Sequence, residues 1–264
     1  MPFMDDLALV EVLIGLVAVL LAYTGVLAFW AIRTNRPQWL RTTLKSSAIP
    51  IGGVGAVTLA LALWTEMTWP FPISSMGGYN IFFGDVMVLF GLVTIAYALA
   101  AYLGHHLHLV GVLALVAGVV TAFYGWVGYT ATPAFTKEPF DTFLLYGAFG
   151  LAGVLALPAT ILTDYYLSAV AAGRSVWQSV VTSSAPRRAA KGMGTRAAQP
   201  VSDLGTTGKG SGDKGLETRY RVHWALQLVM LAFPVIMTAA AVAAFWYFGT
   251  TLPGHLGQGA AKAP

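Results

Sequence analysis

The sequence predicts an all-α, polytopic transmembrane bundle of six helices with both termini outside. Three observations lead there. The chain is 57% hydrophobic and only 10% charged, with a mean hydropathy of +0.70, whereas a soluble domain is about 25% charged. Six apolar segments are long enough to cross a bilayer core, which takes about 20 residues of helix. Thirteen of the fifteen Lys and Arg residues fall in two loops that share one side if there are six crossings. So apolar a chain cannot cover itself with polar surface in water, which excludes a soluble globular enzyme, a disordered protein and a nucleic-acid module. The absence of cysteine excludes disulfides, iron–sulfur clusters, thiolate zinc sites and covalently attached haem.

The six segments run approximately from Leu7 to Ile32, Ser46 to Trp64, Ile81 to Leu103, Leu109 to Ala131, Thr142 to Leu167 and Trp224 to Phe248. Each is too long for a strand and lacks the alternation of a barrel strand. Helices are then the structures that satisfy their backbone groups in lipid. The first segment is expected to be retained. Asp5 and Asp6 stand where a cleavable signal carries base, and the apolar run after them is long enough to span.

Orientation follows from the basic residues. The first loop holds Arg33, Arg36, Arg41 and Lys45, and the fifth holds nine more between Arg174 and Arg221. Both loops are therefore expected in the cytoplasm. The acids Asp5, Asp6, Glu11, Glu66, Asp85, Glu138 and Asp141 all fall at or near outer helix ends. The chain divides into a five-helix membrane domain (residues 1–170), a basic cytoplasmic loop (171–221), a sixth helix (222–250) and a tail (251–264). The loop is rich in Gly, Ser, Thr, Ala and base, too poor in apolar side chains to offset its conformational entropy, and is expected to be largely disordered. Its charge sets topology and can also attract anionic lipid. The Gly/Ala/Pro-rich tail is expected to be loose.

Small residues predict close helix packing. Gly111, Ala114, Gly118, Ala122 and Gly125 form a stripe on helix four; Ala148, Ala152 and Ala156 repeat on helix five beside Gly147, Gly150 and Gly153. Such faces let membrane helices approach closely where lipid provides no hydrophobic drive. Gly52-Gly53-Val54-Gly55 reads the same way. Pro158 and Pro234 predict kinks. Trp30, Trp64, Trp69, Trp126, Trp224 and Trp246 fall near helix ends, as an interfacial belt requires.

Chemistry-bearing residues concentrate at the predicted outer face. Thr65-Glu66-Met67-Thr68-Trp69-Pro70-Phe71-Pro72 is followed by Gly77-Gly78-Tyr79-Asn80-Ile81-Phe82-Phe83-Gly84-Asp85. Trp69, Pro70, Pro72, Tyr79 and Asn80 form a candidate outer-loop motif. Pro70 and Pro72 stiffen the loop, Gly77-Gly78 permits a turn, and Asn80 is placed to cap helix three. Asp85 would then lie about four residues, roughly 6 Å, below the helix start. Glu11 has apolar neighbours on every side, and intramembrane carboxylates usually face a bundle interior or cavity. Glu11, Glu66, Asp85 and Glu138 are the candidate functional carboxylates, with Lys137 as their ion-pair partner. The alternative is four separate carboxylates, each reaching headgroup water. His105 and His108, three apart in Gly104-His105-His106-Leu107-His108, are weak metal candidates; interfacial polar residues are the plainer reading, and no metal site is expected.

The T-W-P-F-P segment, G-Y-N-I-F-F-G-D and the Thr136-Lys137-Glu138-Pro139 segment resemble the polytopic membrane-protein family called domain of unknown function 981. The resemblance covers roughly Leu7 to Leu167. This chain adds Ile73-Ser74-Ser75-Met76 before Tyr79, the long basic loop and a sixth helix. The resemblance implies a multi-pass protein of an archaeal or bacterial plasma membrane and assigns no activity.

No nucleophile motif, zinc-protease motif or phosphate loop is present, which disfavours an enzyme. The leading reading is a non-enzymatic transporter or channel-like protein, or an accessory subunit of a membrane complex, with no cofactor. The alternative is a membrane-anchor subunit of a respiratory or oxidase complex, holding quinone or haem. A transporter calls for acids converging on a cavity that reaches the midplane; an anchor calls for a closed bundle with an exposed small-residue face.

Overall fold

A computed structural model describes residues 6–68, 73–130, 139–171 and 224–260. Among the described residues there are six α-helices: α1 (Asp6–Arg33), α2 (Pro37–Thr68), α3 (Ile73–Leu103), α4 (His108–Thr130), α5 (Pro139–Ala171) and α6 (Trp224–Ala260). No strand occurs among the described residues. All six helices are long and apolar enough to cross a membrane. The basic loop, Lys137, Glu138, Trp69, Pro70 and Pro72 lie outside the described residues.

Three boundaries differ from the sequence reading. Helix α2 begins at Pro37 rather than near Ser46, because proline's fixed φ suits the first helical position and its missing N–H is not needed there. Arg41 and Lys45 are consequently exposed on a helix, with Leu40 and Leu44 buried on its other side. Helix α3 begins at Ile73, not at Ile81. Gly77-Gly78 is therefore helical rather than a turn, and Asn80 is an interior residue rather than a cap. Asp85 stands about 18 Å along the helix axis from the α3 start, at 1.5 Å per residue, rather than 6 Å. Helix α6 continues to Ala260, through the segment expected to be loose.

Two turns show how the chain reverses at the basic end. Asn35 (φ 53°) and Gly104 (φ 75°) adopt the left-handed conformation just past the ends of α1 and α3. In each, the following N–H reaches back five residues: Arg36 to the Ala31 carbonyl at 2.8 Å, and His105 to the Ala100 carbonyl at 2.9 Å. This is the Schellman arrangement, and Asn and Gly tolerate its positive φ best.

The helices form a closed ring in the order α1, α2, α3, α4, α5, α6, with α6 returning to α1. The contacts between α4 and α5 are the most extensive, followed by α2 with α3; the α3–α4 seam is the thinnest. Alanines fill much of the inside beside a few bulky residues such as Leu40, Ile51 and Phe83, and many other bulky side chains face out. Ala18, Ala31, Ala48, Ala62 and Ala240 are buried, whereas Val19, Val57, Leu109, Phe123 and Trp126 are exposed. Trp30, Trp64 and Trp246 are exposed as well. That inversion suits a bundle whose solvent is lipid, where association rests on close packing.

The glycines carry that packing. A Cβ on Gly118 would lie 2.6 Å from the Gly150 carbonyl oxygen and 2.9 Å from the Gly153 Cα. One on Gly153 would lie 2.5 Å from the Ala114 carbonyl oxygen. The α5 face that meets α4 is thus Gly150–Gly153. Ala152 belongs instead to a cluster with Ala18, Ala22, Met237 and Ala241. On α2, Gly52 abuts Ala98 and Gly55 abuts Thr94, while Gly53 faces open space. Buried threonines satisfy themselves within their own helices. Thr24, Thr58, Thr65, Thr94, Thr121 and Thr163 each donate to the carbonyl four residues back, at 2.7–3.0 Å.

Candidate functional site

At the end of the bundle where α2 stops, α2, α3 and α4 bring three polar side chains together. Tyr124, near the end of α4, donates its hydroxyl to the Asp85 carboxylate on α3. Glu66, two residues before the end of α2, is close enough to repel the Asp85 charge. The placement has a steric cause. Glu66 Oε1 occupies the space over Gly84, where a Cβ would lie only 1.7 Å away. Glycine beside Asp85 is what admits the second carboxylate. Glu66 Oε1 is buried and has no hydrogen-bond partner among the described residues.

Aromatic rings wall this pair. Phe82 stacks at 4.7 Å from Tyr146 and lies 6.1 Å from Tyr124, ring centre to ring centre. Tyr146, buried on α5, donates its hydroxyl to the Phe82 carbonyl at 2.8 Å. Gly128 makes room for the Phe82 ring, whose nearest atom would be 2.5 Å from an added Cβ. These contacts tie the start of the membrane part of α3 to both α4 and α5.

Glu11 occupies a different position. It is 3% exposed and lies in the wall of a central cavity of about 180 Å³. All six helices contribute to that wall, from Glu11, Phe83 and Tyr146 at one end to Leu44, Leu107 and Thr163 at the other. Between them the lining is aliphatic and aromatic, with Val86, Phe90, Ala114, Phe149 and Phe233 among it. Threonine hydroxyls in the wall are turned to their own backbone carbonyls, as with Thr24, Thr94 and Thr121. Tyr97 also lines the wall, its hydroxyl sharing a 3.5 Å hydrogen bond with the Ser47 hydroxyl.

Of the predicted carboxylates, then, Glu66 and Asp85 come together, and Glu11 lines the cavity. Glu138 and its suggested partner Lys137 lie outside the described residues. Tyr79 and Asn80 lie on the first turns of α3, with their side chains outside the description.

The opposite end holds a polar centre that sequence reasoning missed. Asp164, buried on α5, accepts the Leu107 N–H at 2.9 Å and the His108 N–H at 2.8 Å. It thereby caps α4 from a distant part of the chain, meeting orphan amides and the positive helix terminus. His108 Nδ1 lies 3.0 Å from Asp164 Oδ2, and His106 Nδ1 lies 3.8 Å from the same atom. His105 stands apart and exposed. Two residues on, Tyr166 donates to Asn35 Oδ1 at 2.9 Å. Helix α5 thus ties down both basic-end turns. The available signal was charge: Asp164 is an acid at a helix end where the basic residues gather.

The family model described as a protein of unknown function, DUF981, matches residues 1–181. The chain belongs to the DUF981 family. The DUF981 match takes in α1 to α5, with Glu11, Glu66, Asp85, Tyr124 and Asp164, and leaves α6 outside it. No curated protein and no solved structure matches the chain.

Proposed function

We propose that this DUF981 protein is a non-enzymatic, transporter-like membrane protein that holds a lipophilic molecule in its central cavity. The observation that supports this reading is the cavity itself. All six helices contribute to its wall, it extends along the bundle, and its lining is almost wholly apolar. Such a wall offers a hydrated ion no substitute for its water. It suits an apolar guest; a dry cavity of about 150 Å³ already accepts benzene. Glu11 gives the wall one acidic position, fit for a polar or cationic head. The small-residue faces of α4 and α5 are consumed by each other, which leaves no such face there for docking a partner subunit.

Tyr97 favours a second reading, a quinone-binding anchor subunit. Its hydroxyl in the cavity wall is a donor that a quinone carbonyl would accept. In either reading the protein sits in the plasma membrane with its basic loops in the cytoplasm, near anionic lipid.

The test is purification in mild detergent, followed by organic extraction and mass spectrometry. We expect a lipophile in stoichiometric amount, reduced several-fold in Val93→Trp, which fills part of the cavity. Absorbance separates quinone from other lipophiles, and co-purifying chains would favour the anchor. Extracts with no retained lipophile, or equal amounts from both proteins, would overturn the proposal.

A further inference from the structure

We propose that His106, His108 and Asp164 form a zinc-type metal site that pins the α3–α4 turn to α5. The site is independent of the cavity and lies at the opposite end from Glu66 and Asp85. Three ligand atoms, one from each residue, lie within 4.8 Å of one another. Both imidazoles converge on one carboxylate oxygen, at 3.0 Å and 3.8 Å. Tetrahedral zinc with bonds near 2.0 Å sets its ligands about 3.3 Å apart. The His108–Asp164 pair is already near that spacing, and His106 must close by about half an ångström on Asp164 and by up to about 1.5 Å on His108. It is free to do so, since its side chain is 69% exposed.

The carboxylate is held ready. Its two oxygens accept the Leu107 and His108 amides, so its orientation is fixed before any ion arrives. Ligating carboxylates in metal sites are supported in this way. The ion would replace the hydrogen now between His108 Nδ1 and Asp164. Two nitrogens and one oxygen suit zinc and disfavour magnesium or calcium, which take all-oxygen sets. The exposed side of both histidines leaves room for water as the remaining ligand. The sequence pointed to His105 with His108, on helical spacing. The turn at Gly104 breaks that helix, so spacing along a helix does not apply, and His106 takes the place.

The experiment uses the full chain, produced without a polyhistidine tag, in detergent. Zinc chloride is titrated by calorimetry, and bound metal is counted after desalting. Cobalt serves as the spectroscopic reporter of a tetrahedral site. We expect one zinc per chain and a tetrahedral cobalt spectrum. In His106→Ala, whose ring is 69% exposed and touches the His108 ring at 5.7 Å between centres, the affinity should fall at least tenfold. In the His106→Ala/His108→Ala double variant the stoichiometric zinc should vanish, and excess magnesium should not displace zinc from the unmodified chain. Absence of stoichiometric zinc in the unmodified chain, or equal zinc in the double variant, would overturn the site. The lipophile content is unaffected in either case, so this outcome is separate from that of the cavity reading.

Discussion

Placing a methyl group at Gly118 tests the central packing of the fold. The α4–α5 contact is made by backbone against backbone. An alanine Cβ there would meet the Gly150 carbonyl oxygen at 2.6 Å and the Gly153 Cα and carbonyl carbon at 2.9 and 3.1 Å. None of these atoms can rotate away. Ordinary contact between carbons needs about 3.5–4.0 Å, so the helices must separate by several tenths of an ångström along their most extensive contact. Overpacking of this kind costs about 1–3 kcal/mol. Alanine's higher helix propensity returns up to about 1 kcal/mol. The net expectation for Gly118→Ala is a loss of roughly 1–2 kcal/mol. Gly147 supplies the control on the same pair of helices. Nothing lies within 4 Å of its would-be Cβ, so Gly147→Ala should be neutral or stabilising by up to about 1 kcal/mol. Reversible unfolding in mixed micelles, followed by circular dichroism, measures both. Equal stabilities for the two variants would refute the argument that Gly118 is required by close approach.

Asp85→Asn should leave the folded yield unchanged or slightly improved. The amide oxygen can still accept the Tyr124 hydroxyl, and the repulsion with Glu66 is removed. Retained lipophile should stay the same, because Asp85 is not part of the cavity wall; a several-fold loss alongside a normal melting curve would refute that separation. Topology can be read directly, because the chain has no cysteine of its own. A single cysteine at Arg187 should react with an impermeant maleimide only after the cytoplasmic face is opened, and one at exposed Met67 should react in intact cells. Labelling of both from one face would overturn the orientation expected from the basic loops.

The helices were legible because the lipid requirement is coarse: about 20 apolar residues in a row admit few alternatives. Their ends were less legible. Pro37, Gly77 and Gly78 carry local signals for turns, yet α2 starts at Pro37, where burial of Leu40 and Leu44 continues its inward face, and α3 runs through both glycines. The small-residue stripe of α4 was readable as packing, whereas its partner face on α5 was ambiguous between Ala152 and Gly153. One-residue differences rotate a side chain by about 100°, so only the neighbour decides. Glu11 was identifiable as an expensive charge in an apolar setting, and Glu66 and Asp85 from the distinctive outer segments that carry them. Their meeting was not, because it depends on the vacancy above Gly84, a property of two helices at once. The role of Asp164 was hidden for a related reason: charge could single it out, but its partners are backbone amides 56 and 57 residues away, and amides leave no trace in a sequence.

The helix that completes the ring has a particular standing. Residues 1–181 define membership of the family, and they build five staves of the barrel; α6 is the sixth, wedged between α1 and α5. Met230, Phe233, Met237 and Ala244 are its share of the cavity wall. Without them the hollow becomes a trough facing the acyl chains. A chain ending at residue 181 would therefore keep the polar pairs at both rims while losing one side of the cavity wall. Whatever the hollow holds would then exchange with the surrounding lipid across its whole length.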